Sequence, residues 1–364
     1  MLYADITGWG KCAPPAILTN DDLSTFLETD DEWIVSRTGM KERRISHVPV
    51  SELAYVACAR ALAAAGREAG DVELIIFGSC TFDQLVPNAA SRVQQLLGAD
   101  NAACIDLNSA CTSGMYGLSV ATAMIRTGSV KNALVIGAEV ASVLMDWTNR
   151  DVAVLFGDGA AAFFLEACEE KAGVVAEALG CFGKNRDILA VHGWGAQFAN
   201  QGWFNGETDW CFEGQEIFKR AVVGMSRACD DVLAKEGLAK EAIDLVVPHQ
   251  ANLRIIDALA KRMGASAEKV YINIQRYGNM SAATAPMALV EALEEGRVAP
   301  GAHLLMPAFG AGLSWSAHLL RWGRRTEALG TSGVELPPCD KTGLQLVQEI
   351  IAAKQAMKAS PCVA

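Results

Sequence analysis

The sequence predicts an α/β fold built from two similar halves. Three observations point there. Short runs rich in Val, Ile and Leu alternate with Ala-rich stretches of helical periodicity. Such runs read as buried strands, and strands alternating with helices form parallel or mixed sheets. The order of segments in the first half recurs in the second. The 364 residues, 51% hydrophobic and 20% charged, are enough for a large two-part core.

Strands are expected at 72–78 (VELIIFG), 102–108, 132–137 (NALVIG), 243–248 (IDLVVP) and 303–307 (HLLMP). Helices are expected at 53–66, 89–97 and 111–127. A helix ending in LAAAGREAGD leads into ELIIFG, and one ending in LAKEGLAKEAI leads into DLVVPH. Glu73 and Asp244 then correspond at an offset of 171, and VKNALVIG matches PGAHLLMP at an offset of 170. FGDGAAAFFLE echoes FGAGLSWSAHLL at the smaller offset of 153, so the halves differ by insertions. The polar stretch EEKAG (169–173) separates a first half, 1–171, from a second, 172–323. Residues 184–211, rich in Trp, Gly, Asn and Gln, read as a long functional loop. From 324 the chain reads as a linker and a terminal helix. Thr342 and Gln345 have capping-box spacing. Leu346, Ile350, Ala353 and Met357 share one helical face, which would dock on the body or bind a partner.

A net charge of −11 disfavours nucleic acid and anionic membranes as partners. No apolar run reaches the length of a membrane span. The start MLYADITGWGK lacks a basic then apolar leader, so a soluble, cytoplasmic protein is expected. The 11 cysteines are scattered with no CxxC pair, which argues against structural zinc and against a disulfide scaffold.

Four places carry candidate chemistry. Cys111 follows a strand and small residues and sits near a helix start, where the macrodipole would lower a thiol pKa. Its local context leaves two readings open, a nucleophile or a small buried residue. His249 lies where the strand DLVVP ends, the edge at which α/β sheets bind ligands. Asn279 precedes an Ala-rich helix, either as a cap or with its amide in a pocket. The tight turn FGAG around Ala311 could present backbone N–H groups to an oxyanion.

In combination these segments are specific. DEWIVSRTGMKERRI, DLNSACTSGMYGL, RDVAVLFGDGAAA, PHQANLRI, GNMSAA and FGAGLSW occur in this order between Ile6 and Gly323. The chain resembles β-ketoacyl-acyl carrier protein synthase III of the thiolase superfamily. The resemblance implies a thiolase-like duplicated fold with a layered α-β-α-β-α core. It implies that Cys111 takes an acyl group from acyl-CoA, helped by the backbone N–H groups of Cys111 and Ala311. His249 and Asn279 would then stabilise the enolate formed as malonyl-acyl carrier protein loses CO2. Trp33 and Arg150 would sandwich the CoA adenine with Arg37 nearby. Lys219, Arg254 and Lys261, with Arg220 and Arg262 beside them, would dock the acidic carrier protein. A homodimer is implied, with no metal and no organic cofactor.

The sequence departs from the family pattern in places. Val86 stands where acetyl-restricted members often carry a Phe that reaches across the dimer to floor the acyl pocket. The smaller side chain predicts a longer primer, a medium-chain acyl-CoA. Met280 stands where Thr is frequent, and the Trp-rich loop 193–210 and the tail are unusual. Two other readings exist: a specialised relative making a secondary-metabolite or CoA-linked β-keto product, and an inactive partner subunit. The intact Cys–His–Asn set speaks against the latter.

Overall fold

The computed structural model describes residues 2–192 and 209–359. The strands are β1 (Tyr3–Cys12), β2 (Ala16–Thr19), β3 (Glu42–Ile45), β4 (Leu74–Gly78), β5 (Ala103–Leu107), β6 (Asn132–Val140) and β7 (Asp158–Cys168), then β8 (Gly173–Cys181), β9 (Leu189–His192), β10 (Asp209–Phe212), β11 (Leu245–Val246), β12 (His303–Gly310) and β13 (Ser314–Arg321). The helices are α1 (Asn20–Ser24), α2 (Asp31–Thr38), α3 (Val50–Ala65), α4 (Ala89–Leu97), α5 (Ser113–Arg126) and α6 (Arg150–Ala153), then α7 (Gly214–Glu236), α8 (Leu253–Met263), α9 (Ile274–Tyr277), α10 (Thr284–Glu294) and α11 (Gly343–Ala359).

Nine strands form one sheet in the order β11-β12-β13-β8-β1-β7-β6-β4-β5. It is two half-sheets placed back to back. From the rim inward the first half reads β5-β4-β6-β7-β1 and the second reads β11-β12-β13-β8. Pairings match: β4 is parallel to β6 as β11 is to β12, and β6, β7 and β1 are antiparallel in turn as β12, β13 and β8 are. A parallel bridge between Val246 and Val270 takes the place of β5. The halves join through β1 and β8 at Ala4 and Gly173.

Helices α5 and α10 pack on each other and on both half-sheets, which gives the middle layer. Helices α3 and α4 cover the first half-sheet outside, and α7 and α8 cover the second. This is the expected five-layer α-β-α-β-α order. The packing is close. A Cβ at Gly10 would lie 2.2 Å from the carbonyl oxygen of Ala57, so only glycine lets α3 rest on β1.

Some sequence expectations shift. Strand β6 runs to Val140, past the predicted 137, and carries Glu139 inward. Strand β5 is not buried but an exposed edge, with Ala103 and Ile105 open to solvent. The predicted strand at 243–248 has only two ladder residues in β11, yet its backbone follows β12 throughout. Asp244, Val247 and His249 donate N–H bonds to His303, Leu305 and Pro307 at 3.0, 2.8 and 2.8 Å. The loop expected at 184–211 includes the hairpin β9–β10, in which Trp210 pairs with Val191. Its segment 193–208 lies outside the described residues.

The tail docks on the first half in cis. Arg325 donates to the carbonyls of Thr7 and Ala65 at 2.8 and 3.1 Å, and Arg60 pairs with Glu335 at 2.8 Å. The capping box forms, with Thr342 N–H donating to Gln345 Oε1 at 2.9 Å and Gln345 N–H to Thr342 Oγ1 at 3.2 Å. The inward face of α11 is turned from the expected one. Leu346 and Val347 are buried, Ile350 and Ile351 pack beside them, and Ala353 is exposed. The Met357 side chain lies outside the described residues. Among the described residues no helix is long and apolar enough to cross a membrane.

Candidate active site

A cavity of about 970 Å³ opens where strand ends of both halves meet, and Cys111, His249 and Asn279 all border it. Each arrives on a different connection, after β5, after β11 and before α10.

The turn after β5 is held by its own polar groups. Ala110 N–H donates to Asn108 Oδ1 at 3.0 Å, Ser109 N–H to Ser113 Oγ at 2.8 Å, and Ser113 Oγ to the Ala110 carbonyl at 2.7 Å. These bonds hold Ala110 at φ 52°, a left-handed conformation that costs an L-residue about 1 kcal/mol or more. Cys111 follows in a short 3-10 turn, and the regular helix starts only at Ser113. The expectation of a lowered thiol pKa is corrected here. Burial pushes the Cys111 thiol up to about 11, and the carboxylate of Glu139 adds to it. The Ser281 hydroxyl and the N–H groups of Cys111 and Ala311 pull the other way without offsetting it. Those two N–H groups converge beside the sulfur, an arrangement suited to an oxyanion. Glycine at 310 permits it, because a Cβ there would lie 2.9 Å from the Cys111 nitrogen.

His249 is 3% exposed, and burial pushes its imidazole down to about 3, so it is neutral at physiological pH. Its Nδ1 meets Thr284 Oγ1 on α10 in a very short hydrogen bond. Asn279 is fixed on both sides. Its N–H donates to Leu155 at 2.8 Å and its carbonyl accepts from Gly157 at 3.1 Å. Its Oδ1 accepts from Ser281 N–H at 2.8 Å, which assigns the amide orientation and leaves Nδ2 as a donor at the cavity. Met280 next to it is fully buried among core residues and does not border the cavity.

Four supporting residues escaped sequence reading. Ser281, at φ 48°, borders the cavity and places its carbonyl 3.1 Å from the Thr284 hydroxyl. Cys80 borders the same cavity, with its sulfur 4.0 Å from Ser281 Oγ. Glu139 is fully buried. Its Oε1 accepts from Ser79 Oγ at 2.5 Å, Cys80 N–H at 2.8 Å and Thr81 Oγ1 at 2.8 Å, and its Oε2 from Ala282 N–H at 3.3 Å. It ties the turn after β4 to the turn before α10. A Glu inside the apolar strand NALVIGAEV was the available signal for it. Thr284 is the fourth.

Trp33 and Arg37 border the cavity, and the guanidinium carbons of Arg37 and Arg150 lie 4.5 and 4.9 Å from the Trp33 ring centroid. At that distance Arg150 is stacked on Trp33 directly. The expected sandwich therefore needs Arg150 to swing away before a flat ring can enter. Lys219 and Arg254 border the cavity, and Lys261 is exposed on α8 beyond it. Val86 is 84% exposed and outside the cavity lining of the single chain. Apolar walls come from Leu189, Val191, Trp210, Phe212, Phe218 and Met225. Trp210 is held by a 2.8 Å bond from Nε1 to the Leu144 carbonyl and packs 5.2 Å from Phe156. Among the described residues no three His, Cys, Asp or Glu side chains are grouped to hold a metal.

Comparison with known proteins gives the family. Residues 105–183 match the model for 3-oxoacyl-(acyl-carrier-protein) synthase III, and residues 233–322 match that for its C-terminal part. The chain is 53% identical over 349 residues to β-ketoacyl-(acyl-carrier-protein) synthase III 2 of Vibrio cholerae, covering 96% of each. It is 42% identical over 324 residues to the Roseiflexus castenholzii synthase III, covering 88% of this chain and 98% of that one. The crystal structure of the Aquifex aeolicus synthase III superposes with a TM-score of 0.82 at 41% identity, over 88% of this chain and all (100%) of that one. The chain belongs to the 3-oxoacyl-(acyl-carrier-protein) synthase III family of condensing acyltransferases.

Proposed function

We propose that this enzyme condenses a medium-chain acyl-CoA primer with malonyl-acyl carrier protein through an acyl-Cys111 intermediate. The observation that carries this reading is the convergence of Cys111, His249 and Asn279 on one cavity with an apolar wall. Cys111 attacks the acyl-CoA carbonyl, the N–H groups of Cys111 and Ala311 hold the oxyanion, and CoA leaves. A malonyl thioester then loses CO2. Its enolate oxygen accepts hydrogen bonds from His249 and from Asn279 Nδ2, and its carbon attacks the acyl group. Because burial keeps His249 neutral, it donates to the enolate without first repelling or capturing a proton from the malonate.

Trp33, Arg37 and Arg150 are the CoA contacts in this reading, and Lys219, Arg254 and Lys261 receive the acidic carrier protein. No metal and no organic cofactor takes part. Cytoplasmic fatty acid synthesis is the setting. Val86 acts across a homodimer. The support is the exposed edge strand β5 beside Leu85 and Val86, which are 86% and 84% exposed, a combination that calls for a covering partner.

A second reading, a polyketide or CoA-linked product, draws on one comparison. A priming β-ketosynthase of a polyketide pathway matches with a TM-score of 0.83 at 29% identity, over 88% of this chain and 97% of that one. Intact-protein mass spectrometry with a ladder of acyl-CoAs tests the primer. Each buried methylene contributes about 0.8 kcal/mol, or about fourfold in kcat/KM, so adduct formation should climb from acetyl to medium chains. A maximum at acetyl would refute the medium-chain assignment. Malonyl-CoA outperforming malonyl-carrier protein would favour the second reading.

A further inference from the structure

We propose that Trp210 sets the upper length of the primer, its indole standing as a fixed apolar stop at the end of the acyl site. This deepens the acyl-Cys111 reading above and rests on it. Trp210 lies on β10, at the end of the Trp-rich stretch that the chemistry of Cys111, His249 and Asn279 leaves unused. It borders the same cavity as those three residues. Its Nε1–H donates to the Leu144 carbonyl at 2.8 Å, so the polar edge of the ring is satisfied and the rest of it offers carbon to the cavity. Its ring centroid lies 5.2 Å from that of Phe156, at an interplanar angle of 41°. Phe156 is itself fixed beside the reacting amide. Its backbone forms a parallel bridge with Asn279, whose N–H donates to Leu155 at 2.8 Å and whose carbonyl accepts from Gly157 at 3.1 Å.

The lining sorts by charge. The cationic residues Arg37, Lys219 and Arg254 border the cavity from α2, α7 and α8, where anionic CoA is attracted. Leu144, Met145, Leu155, Phe156, Trp210 and Phe212 border it too, and these pack as part of one apolar cluster. An acyl chain on Cys111 is favoured along that apolar side, and the gain ends where a rigid group fills the path. Trp210 is such a group. Its side chain is fixed by the Leu144 bond and the Phe156 contact, and β10 is held by the hairpin register that sets Trp210 opposite Val191. A Leu at this position can turn aside through another rotamer. A bonded indole cannot do so without giving up its hydrogen bond. Val86 lies outside the cavity lining of the single chain, so the stop at Trp210 needs nothing from a second chain.

The test compares chain-length profiles. The second-order rate of adduct formation on Cys111 is read by intact mass, with acyl-CoAs from acetyl to tetradecanoyl, for wild type, Trp210→Leu and Trp210→Phe. Wild type should climb with chain length and then fall sharply. Trp210→Leu should move the optimum to longer chains. The rate for those chains, relative to that for the wild-type optimum, should rise by about fourfold for each methylene newly buried. Trp210→Phe keeps a ring without the indole N–H, and it should soften the fall while moving the optimum less. A purely structural role would lower the rate for every chain alike and leave the optimum in place, and that result would overturn the proposal. A second measurement needs only wild-type protein for its readout. In NMR of nitrogen-labelled indoles, the Trp210 signal is assigned by its absence from Trp210→Phe. Acylation by acetyl-CoA should leave that signal in place, and acylation by the longest accepted primer should shift it. A signal unmoved by every primer would also overturn the proposal. If wild type forms no Cys111 adduct with any acyl-CoA, the acyl-Cys111 reading fails instead.

Discussion

In the first half, Ala110 takes φ 52°, a 3-10 turn spans 110–112 and α5 begins at Ser113; in the second, Ser281 takes φ 48°, a 3-10 turn spans 281–283 and α10 begins at Thr284. These are the two non-glycine residues with positive φ among the described residues, and they stand 171 positions apart, the offset already visible between Glu73 and Asp244. The same strained turn has been kept twice and filled differently. One copy presents a thiol. The other presents an amide just before it and hydroxyls at 281 and 284. The helices behind them differ too. All but one residue of α10 is buried, whereas α5 leaves Val120 exposed. In the proposed reading, two equivalent positions at one cavity divide the work, with covalent chemistry at one and hydrogen-bond donation at the other.

If the halves divide the labour in this way, substitutions should separate the half-reactions. Cys111→Ala should abolish the acyl adduct and lower condensation by about a thousandfold or more, while malonyl decarboxylation continues. Asn279→Ala should do the reverse. Acyl-Cys111 still forms, and decarboxylation falls by about a hundredfold or more with the loss of one preorganised donor. Adduct mass and CO2 release on both variants check this. Loss of both activities in either variant would break the division.

The buried side of the second copy should bear more of the stability. Glu291 on α10 is 3% exposed and accepts from Lys11 at 2.9 Å, Asn273 at 2.8 Å, Arg276 at 2.7 Å and Tyr277 at 2.6 Å. Burial alone would raise its pKa, but the bonds from Tyr277, Asn273 and Lys11 outweigh that and the net shift is downward. Glu291→Ala should cost about 3 kcal/mol in urea unfolding, because four donors lose their acceptor. A carboxylate with a depressed folded-state pKa contributes stability above its unfolded pKa, and that contribution is lost as pH falls through the folded value. The gap between wild type and Glu291→Ala should therefore narrow only in acid. Val120→Ala, on the exposed face of α5, should change stability by about 0.5 kcal/mol or less.

The thiol of the first copy gives a third expectation. With Cys111 pushed up to about 11, the free enzyme holds little thiolate at neutral pH. Its alkylation by iodoacetamide should rise by about tenfold per pH unit from 7 to 10. A plateau below pH 9 would mean an ion-paired thiolate and would contradict burial as the controlling influence.

This thiol also shows where sequence reading stops. The strand–turn–helix context of Cys111 was legible, as were His249 at a strand end and the offset between halves. The sign of the thiol shift was not, because helix position is local and desolvation depends on what other segments bring. Glu139, Ser281 and Thr284 were missed for the same reason. Each acts through partners distant in sequence or through a backbone angle that carries no residue signature. Strand β5 looked buried from its composition, since an apolar edge strand has the same sequence character as an interior strand.

The smallest effect concerns an asymmetry between the halves. The tail packs mainly on the first, where α11 rests on β2 and β3. Lys354 Nζ reaches across to donate to the Met145 carbonyl at 2.9 Å, and Met145 borders the cavity. This bond links the last helix to the cavity wall. Lys354→Met keeps the aliphatic stem and removes the donor. It should cost about 1 kcal/mol in urea unfolding, with KM for acyl-CoA rising more than kcat falls, since the bond shapes the wall and not the reacting atoms. A fall in kcat at constant KM would instead place the tail in the chemistry and remove the distinction between a braced half and a reacting one.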